Sequence, residues 1–475
     1  MKCFFKKAAA TLITVLSISF IGIHLYASGV KGFTSTILSN GGGDNISTSM
    51  EALESIYRFA ERNFIYNIDY DKVYEAMAGA MLDAFGDEWT MYIPSSSSNE
   101  YRDHRIGNYG GIGIYLTKLP LSKQNAEDPK TLYITITNVF KDAPSHKAGL
   151  KRSDLITHIN GESVISKTAG ECASMLKGDK GSTVTLSILR GKETFDVQLE
   201  REEVSVPTVK STILKGNVGY IRIYEFTTQT ALQVSDELDS IKDKIQALII
   251  DMRDNGGGDV SACIEIADFF LPSGATIVST EGKTNEMSRI YLSSAKEKKL
   301  NEDVPIAVLI NSGTASAAEL LAGALKENNR AVVFGEKSYG KGVMQVSAPF
   351  NNGFVNVTAA EYKTPGGNTV NKVGITPDEE VKENIGTQEE QHSLLKMFKE
   401  NIFSVYAEKH PTFSPINVDR FAHEYSDKYD ISPILLKKAI TEEYVYKSNT
   451  DPISSELLKY DDVVNYALTY INNSN

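Results

Sequence analysis

Three side chains in this 475-residue sequence have types and spacing that could do chemistry together: Ser316, Lys341 and Gln345, separated by 25 and then 4 positions. Ser316 stands in NSGTASAAELLAGAL, where an apolar strand breaks at small residues before a helical pattern begins. A serine at such a turn can expose its hydroxyl, with the amide of Ala317 pointing outward from the helix start. The plain alternative is an N-cap serine that only satisfies a helix amide. What separates the two is an activating base. The seven histidines are His24, His104, His146, His158, His392, His410 and His423, so none lies between 159 and 391 and a Ser-His-Asp site within that stretch is excluded. Lysine serves as a base only when neutral, and burial can lower its free pKa of ~10.4 by up to several units. Lys341 has a setting for this: Gly340 and Gly342 permit close backbone approach, and Val343 and Met344 supply apolar cover. On an extended segment Lys341, Val343 and Gln345 share a face, which lets the Gln345 amide orient the amine.

The same run, GEKSYGKG, fits the first seven positions of the phosphate-binding pattern G-x-x-x-x-G-K-[ST]. Its eighth position is Gly342, which lacks the hydroxyl that holds magnesium. The following VMQVSAPF reads as a strand ending at a proline, where that loop requires a helix. A nucleotide site is therefore disfavoured.

The elements that must position these residues lie between about 209 and 381. GNVGYIRIYEF, QALIIDMRDNGGGDV, PIAVLINS and AVVFGE each contain a strand, and glycine turns followed by helical patterns succeed the second and third. Repeated strand, glycine turn and helix predict an α/β core with its loops gathered at strand ends. A smaller β-rich unit precedes it, from about 108 to 201. There NYGGIGIYL, TLYITITNVF, DAPSHKAGLKRSDLITHINGESV and STVTLSILRGKETFDVQLE alternate as strands, with an Asn-Gly hairpin signal. A glycine loop beside an open strand edge suits capture of a peptide carboxylate. APSHKAGLKRSDLITHINGESV resembles the core of a PDZ domain, with Gly110, Gly111, Ile112 and Gly113 in the position of the carboxylate-binding loop.

NSGTASAAELLAGAL followed by GEKSYGKGVMQ resembles the serine-lysine site of the carboxyl-terminal processing peptidases, also called tail-specific proteases. FGDEWTMY, REEVSVPTV, IIDMRDNGGGDV and EYKTPGGNTVNKVGITPD extend the likeness over residues 50–378; differences lie in FGDEWTMY, where the family usually has Pro-Tyr, and in the C-terminal region. The resemblance implies a multidomain α/β protein: a ClpP/crotonase-like peptidase core with an inserted PDZ domain and helical N- and C-terminal regions. It implies Ser316 as nucleophile, Lys341 as general base and Gln345 as the residue orienting the lysine. The oxyanion is expected at the amide of Ala317 and one from the glycine turn, Gly257 first and Gly258 second. It also implies protein or peptide substrates with free C-terminal tails, and neither metal nor cofactor. The competing expectations are a membrane-tethered PDZ scaffold without activity, which has no need of Ser316, Lys341 and Gln345 together, and a crotonase-type acyl hydratase, which needs no PDZ unit.

At the N-terminus, a basic MKCFFKK precedes an uncharged apolar run from Ala8 to Ala27, read as a signal peptide or, preferably, an uncleaved anchor that places the remainder outside the cytoplasm. The expected organisation is then 1–28 targeting segment, 29–49 flexible linker, 50–100 helical region, 101–203 PDZ domain, 204–385 peptidase core and 386–475 helices for dimerisation or core packing. Asp69 and Asp71 are expected at a helix cap. A homodimer and a regulatory partner are consistent with the helical ends. The net charge of −12 and the absence of a long Lys/Arg cluster argue against nucleic acid. Cys3, Cys172 and Cys263 are too few and too scattered for a disulfide framework, and the last two are expected as buried thiols.

Overall fold

The computed structural model describes residues 45–97, 101, 107–120, 122, 124–125, 129–296, 298–351, 353–447 and 455–474. The targeting segment and most of the expected linker lie outside them. No helix among the described residues is long and apolar enough to cross a membrane.

The chain divides into two compact units, one ending at Met81 and one running from Leu82 onward. The first holds helix α1 (Asn45–Asn63) and most of α2 (Tyr70–Asp83). Helix α1 starts five residues inside the stretch read as a tether. Asp69 caps α2, its carboxylate accepting the amide of Lys72 at 3.1 Å. Ile56, Phe59, Phe64 and Met77 of this region are exposed.

In the second unit, β1 (Met91–Ile93) comes first, followed by the small β-rich domain. Its strands are β2 (Asn108–Gly111), β3 (Ile114–Thr117), β4 (Ile134–Val139), β5 (Leu155–Ile159), β6 (Glu162–Ser163), β7 (Thr183–Arg190), β8 (Glu193–Glu200) and β9 (Glu202–Ser205), with helices α3 (Pro144–Lys147) and α4 (Ala169–Leu176). The main sheet has the order β3-β4-β5-β7-β8, and β2 pairs with β9 to join the two ends of the domain. Alternating Ile134, Ile136, Ile156, Val184, Leu186 and Ile188 fill its core together with the Cys172 thiol. The Asn-Gly signal is a two-residue turn between β5 and β6, with φ of 52° at Asn160 and 80° at Gly161, the left-handed pair that a type I′ hairpin requires.

The core follows with β10 (Val209–Leu214), β11 (Val218–Ile223), α5 (Thr230–Ile241), β12 (Ala247–Asp251), α6 (Val260–Asp268), β13 (Thr276–Gly282), β14 (Ile290–Leu292), β15 (Ile306–Ile310), α7 (Ala317–Glu327), β16 (Val332–Gly335), β17 (Val343–Phe350), β18 (Gly353–Lys363) and β19 (Glu379–Glu380). The central sheet has the order β10-β11-β12-β15-β16-β19, parallel from β11 to β19 with β10 antiparallel at the edge. Strands ALIID and IAVLI are buried along their whole length, as continuous apolar runs in a parallel sheet should be. Helices α5, α6 and α7 cover one face, where Cys263 is buried.

The other face is covered from the C-terminus. Helix α8 (Gln388–Lys399), α9 (Ile402–Lys409), α10 (Pro415–Tyr429) and α11 (Pro433–Lys447) lead to α12 (Asp462–Ser474). Val463, Val464, Ala467 and Ile471 of α12 pack on Tyr220, Ile249, Leu309 and Phe334. Each fully buried Val or Ile contributes roughly 1.5–3 kcal/mol. Helices α9 and α10 pack their rings together, with Phe403 and Tyr406 at 5.3 and 4.8 Å from Phe421.

A second, antiparallel sheet runs β1-β18-β13-β14, with β17 also paired to β18. Strand β17 continues one residue past Pro349, where the sequence predicts its end. Among the described residues β17 pairs only with β18, and an edge strand can accommodate a residue without an N–H.

Candidate active site

The turn between β15 and α7 places Ser316. Four other helix starts in this chain carry Thr168, Asp259, Thr387 and Ser414 in extended backbone, each side chain accepting an amide three residues on. Ser316 differs, with φ 54° and ψ −125°. A plain N-cap adopts the extended region, and a non-glycine residue held at positive φ is the kind of strain that a sharp strand-to-helix nucleophile turn uses. Ser316 is 8% exposed.

Three interactions hold the turn. Thr314 donates its hydroxyl to the Met252 carbonyl at 2.8 Å, and the Ala315 amide donates to the Asn255 carbonyl at 2.8 Å. Both tie it to the glycine loop after β12. The third is Glu319, fully buried on α7. Its Oε2 accepts the amides of Ser316 and Lys341, both at 2.8 Å, and its Oε1 accepts the Gly340 amide at 2.7 Å and the Ser338 hydroxyl at 2.5 Å. One carboxylate therefore joins the serine turn to the lysine loop. Sequence reasoning missed Glu319, although Ser-x-x-Glu opening an apolar helix is a capping-box signal that marks it.

The glycine loop hangs from a buried ion cluster that was also not singled out. Asp251, at the end of β12, pairs with Arg222 at 2.6 Å and Arg253 at 2.5 Å and accepts the Tyr220 hydroxyl at 2.6 Å. Arg253 reaches on to Asp461, ahead of α12, at 2.7 Å. Burial alone would raise the Asp251 carboxyl, but Arg222 and Arg253 hold it far below the usual carboxylate range. A charged pair inside IIDMRD is visible in the sequence; its partners on β11 and before α12 are not.

Gly257 stands against the serine. A Cβ built on it would lie 2.6 Å from the Ser316 Cβ, and its φ is 92°. Its amide donates to the Asn255 side chain at 2.8 Å, so the amide expected first at an oxyanion is already engaged. Gly258 follows with φ 134°, its backbone paired in parallel fashion with Phe226.

Lys341 lies in the loop ahead of β17. A strand follows it, with no helix for phosphate. The flanking glycines act as anticipated: Gly340 has φ 94°, and a Cβ on Gly342 would come within 2.2 Å of the Asn371 amide. Burial lowers the Lys341 pKa, and the nearby Glu88 charge opposes that shift. Among the described residues its amine makes no hydrogen bond; it lies 3.6 Å from the centroid of the Trp89 ring. Gln345 directs its amide to the Val343 carbonyl at 3.3 Å, beside a register shift between Met344 and Gln345. The structure thus joins the backbones of Ser316 and Lys341 through Glu319, and places the Lys341 amine on Trp89 with the Gln345 amide turned to its own strand. Among the described residues no group of three or more His, Cys, Asp or Glu is arranged to hold a metal.

In the small domain, Gly110 and Gly111 lie within β2, while Ile112 and Gly113 form the turn into β3, with Gly113 at φ 75°. The Ile112 carbonyl accepts the Ser145 amide, and the Gly113 carbonyl accepts the Phe140 amide and the Ser145 hydroxyl. Gly110 is required by the close approach of Gly178, whose carbonyl oxygen would sit 2.1 Å from an added Cβ. Strand β3 is the edge of its sheet, with α4 alongside.

The architecture is a parallel α/β core with its loops at strand ends, joined to a β-rich domain whose edge strand is β3. Comparison with known proteins gives two regional matches and a set of relatives. Residues 217–381 match the profile described as Peptidase family S41, and residues 110–200 match that of the PDZ domain. A Probable CtpA-like serine protease of Staphylococcus aureus (strain COL) is 31% identical over 334 residues, covering 70% of this chain and 64% of the relative. The protein of the same description in Staphylococcus epidermidis (strain ATCC 12228 / FDA PCI 1200) is 29% identical over 333 residues, covering 70% and 65%. The match thus spans a little under two thirds of these relatives' length. Among solved structures, the photosystem II D1 C-terminal processing protease aligns at 25% identity with a TM-score of 0.40, covering 71% of this chain and 88% of that one. The chain thus contains a region similar to peptidase family S41 at 217–381 and one similar to the PDZ domain at 110–200.

Proposed function

We propose that this protein is a serine endopeptidase that recognises the C-terminal tails of protein substrates. The observation that carries the reading is the strained Ser316 turn, tied to the Lys341 loop through the buried Glu319. Ser316 Oγ attacks the scissile carbonyl carbon and the neutral Lys341 amine takes the hydroxyl proton. That proton passes to the leaving amine, and water then hydrolyses the acyl-enzyme. Gln345 orients the amine when it faces Ser316. The oxyanion meets the amides of Ala317 and Gly258; Gly257, its own amide held by Asn255, supplies the space in which Ser316 and the substrate meet. Loss of one oxyanion donor typically costs on the order of 100- to 1000-fold in rate.

The substrate tail adds as a strand to the open edge of β3, its carboxylate at the Ile112–Gly113 turn. The apolar run from Ala8 to Ala27 serves as export signal or anchor, placing the catalytic region outside the cytoplasm. A second copy of the chain or a regulatory protein covers the exposed apolar face of α1 and α2.

The test incubates the full-length chain with an unfolded protein ending in apolar residues, intact or amidated at its C-terminus, and follows products by mass spectrometry. Cleavage is expected to vanish in Ser316→Ala and Lys341→Ala and to slow with the amidated tail. Tail binding without cleavage under all conditions would support a scaffold instead, and cleavage surviving Lys341→Ala would remove lysine as the base.

A further inference from the structure

The residues FGDEWTMY, where the sequence departs from the family it resembles, are not used by the mechanism above, yet they reach its base. Lys341 Nζ lies 3.6 Å from the Trp89 ring centroid, well inside the ~6 Å over which a ring face attracts a cation, and tryptophan offers the best such face. We propose that Trp89 is a positioning residue for Lys341, holding its protonated amine in a resting place on the ring, so that Lys341 serves Ser316 only after leaving it. This rests on the reading of Lys341 as general base.

The attraction is to the ammonium and not to the neutral amine, so the contact favours the form that cannot accept a proton. The backbones on either side are fixed. Asp87 accepts the hydroxyls of Thr90 at 2.5 Å and Thr358 at 2.7 Å, and the Thr358 amide donates to Thr90 at 3.1 Å, which pins the turn carrying Trp89 to β18. The lysine loop is pinned by Glu319, by the Lys372 amide on the Gly340 carbonyl at 2.7 Å, and by the Tyr362 amide on the Gly342 carbonyl at 2.8 Å. The side chains have more freedom. Trp89 is half-buried and lines an open cleft of about 660 Å³ with Thr90, Val343 and Val357, so ring and amine can part without disturbing the core. The charged groups of that cleft are Asp87 and Glu88 from the turn, Glu361 from β18 and Lys372 from the loop beyond it. Burial acts against the ammonium and Glu88 acts for it, in the same direction as the ring.

Trp89 is the single tryptophan of the chain, so its emission reports on the contact directly. The first arm compares full-length protein with Lys341→Met, which keeps bulk and removes the charge; the Trp89 emission is expected to change in intensity or position. The second arm measures kcat/KM against pH for Trp89→Leu, which retains apolar cover without a ring face, and for Trp89→Phe. For Trp89→Leu, loss of the cation–ring attraction should move the acid limb to lower pH by about 0.5–1.5 units and raise the rate at neutral pH by about 3- to 30-fold, with Trp89→Phe between. A purely structural role would lower the rate and leave the limb where it was, which overturns the proposal, as does emission indifferent to Lys341→Met. The emission arm needs no substitution at Trp89 and no activity. Failure of the base assignment, seen as cleavage by Lys341→Ala, is therefore distinguishable from failure of the contact.

Discussion

Glutamine at position 319 keeps the shape of the glutamate but not its ability to accept on both sides. In the wild type three backbone amides and one hydroxyl converge on the two carboxylate oxygens, and the residue is fully buried. If the glutamine oxygen takes the place of Oε2, it still serves the Ser316 and Lys341 amides. The NH2 group then faces the Ser338 hydroxyl, which can turn to accept, and the Gly340 amide, which cannot. An orphaned buried donor costs about 1–3 kcal/mol, and the hydrogen bonds that remain lose the charge that made them strong. We therefore expect Glu319→Gln to destabilise the core by about 2–3 kcal/mol, a fall of roughly 5–10 °C in Tm for a domain of this size. The effect on rate should be larger. The carboxylate joins the Ser316 turn to the Lys341 loop, and where those residues are the proposed nucleophile and base a misplacement of about 1 Å can cost 100-fold. The assay pairs kcat/KM on an unfolded protein substrate with the rate of Ser316 labelling by a fluorophosphonate, and follows tail-peptide binding to the PDZ domain separately. The expected outcome is a drop of about 100-fold in both rates with tail binding unchanged. A well-folded Glu319→Gln protein within threefold of wild-type activity would refute the argument that this carboxylate sets the geometry.

Gly257→Ala is expected to reduce Ser316 labelling by more than 100-fold and to destabilise the protein, because the new methyl would lie 2.6 Å from the Ser316 Cβ at a φ of 92°; labelling kinetics and a thermal melt check both parts. The activity of the wild type should rise with pH as Lys341 deprotonates below its free value, since burial lowers its pKa while Glu88 raises it. Glu88→Gln should then move the acid limb of kcat/KM to lower pH, which a pH–rate profile reads. Asp461→Asn weakens one of the two carboxylate partners of Arg253 and should cost about 1–3 kcal/mol by urea unfolding, with loosened packing of α12. The Asp251 carboxyl has a folded pKa far below its unfolded value, so its contribution is complete above about pH 4 and is lost only as the pH falls toward the folded value.

Much of the architecture was legible because it is written in local patterns. Uninterrupted apolar runs marked β12 and β15, glycine turns marked the ends of those strands, and Asn160-Gly161 marked a hairpin before any coordinate was known. Ser316 became a candidate only in combination, since a serine between a buried strand and a helix is as readily a plain cap, and Lys341 and Gln345 at their spacing were needed to favour the other use. Its backbone was not legible: no pattern in SGTASAAE distinguishes φ 54° from the extended geometry of an ordinary cap, and comparison with the caps at Thr168, Asp259, Thr387 and Ser414 makes the difference plain.

The lysine shows why the remainder was hidden. From GKGVMQ alone, burial by neighbouring apolar residues and orientation by Gln345 follow from spacing along one segment. Spacing says nothing about what the fold brings from elsewhere, and the groups nearest Lys341 come from elsewhere: Glu319 from α7 and Trp89 from the turn before β1. They pull on different parts of the residue. Glu319 fixes the backbone next to Ser316, and the Trp89 ring draws the amine to itself as a cation. A rigid backbone with a divided side chain is what a gated base requires, because the reactive geometry is retained while the proton acceptor is withheld. On this reasoning the wild-type acid limb should depend on Trp89 and Glu88 more than on Gln345 while the amine rests on the ring. Gln345→Ala should accordingly lower the rate without moving the limb.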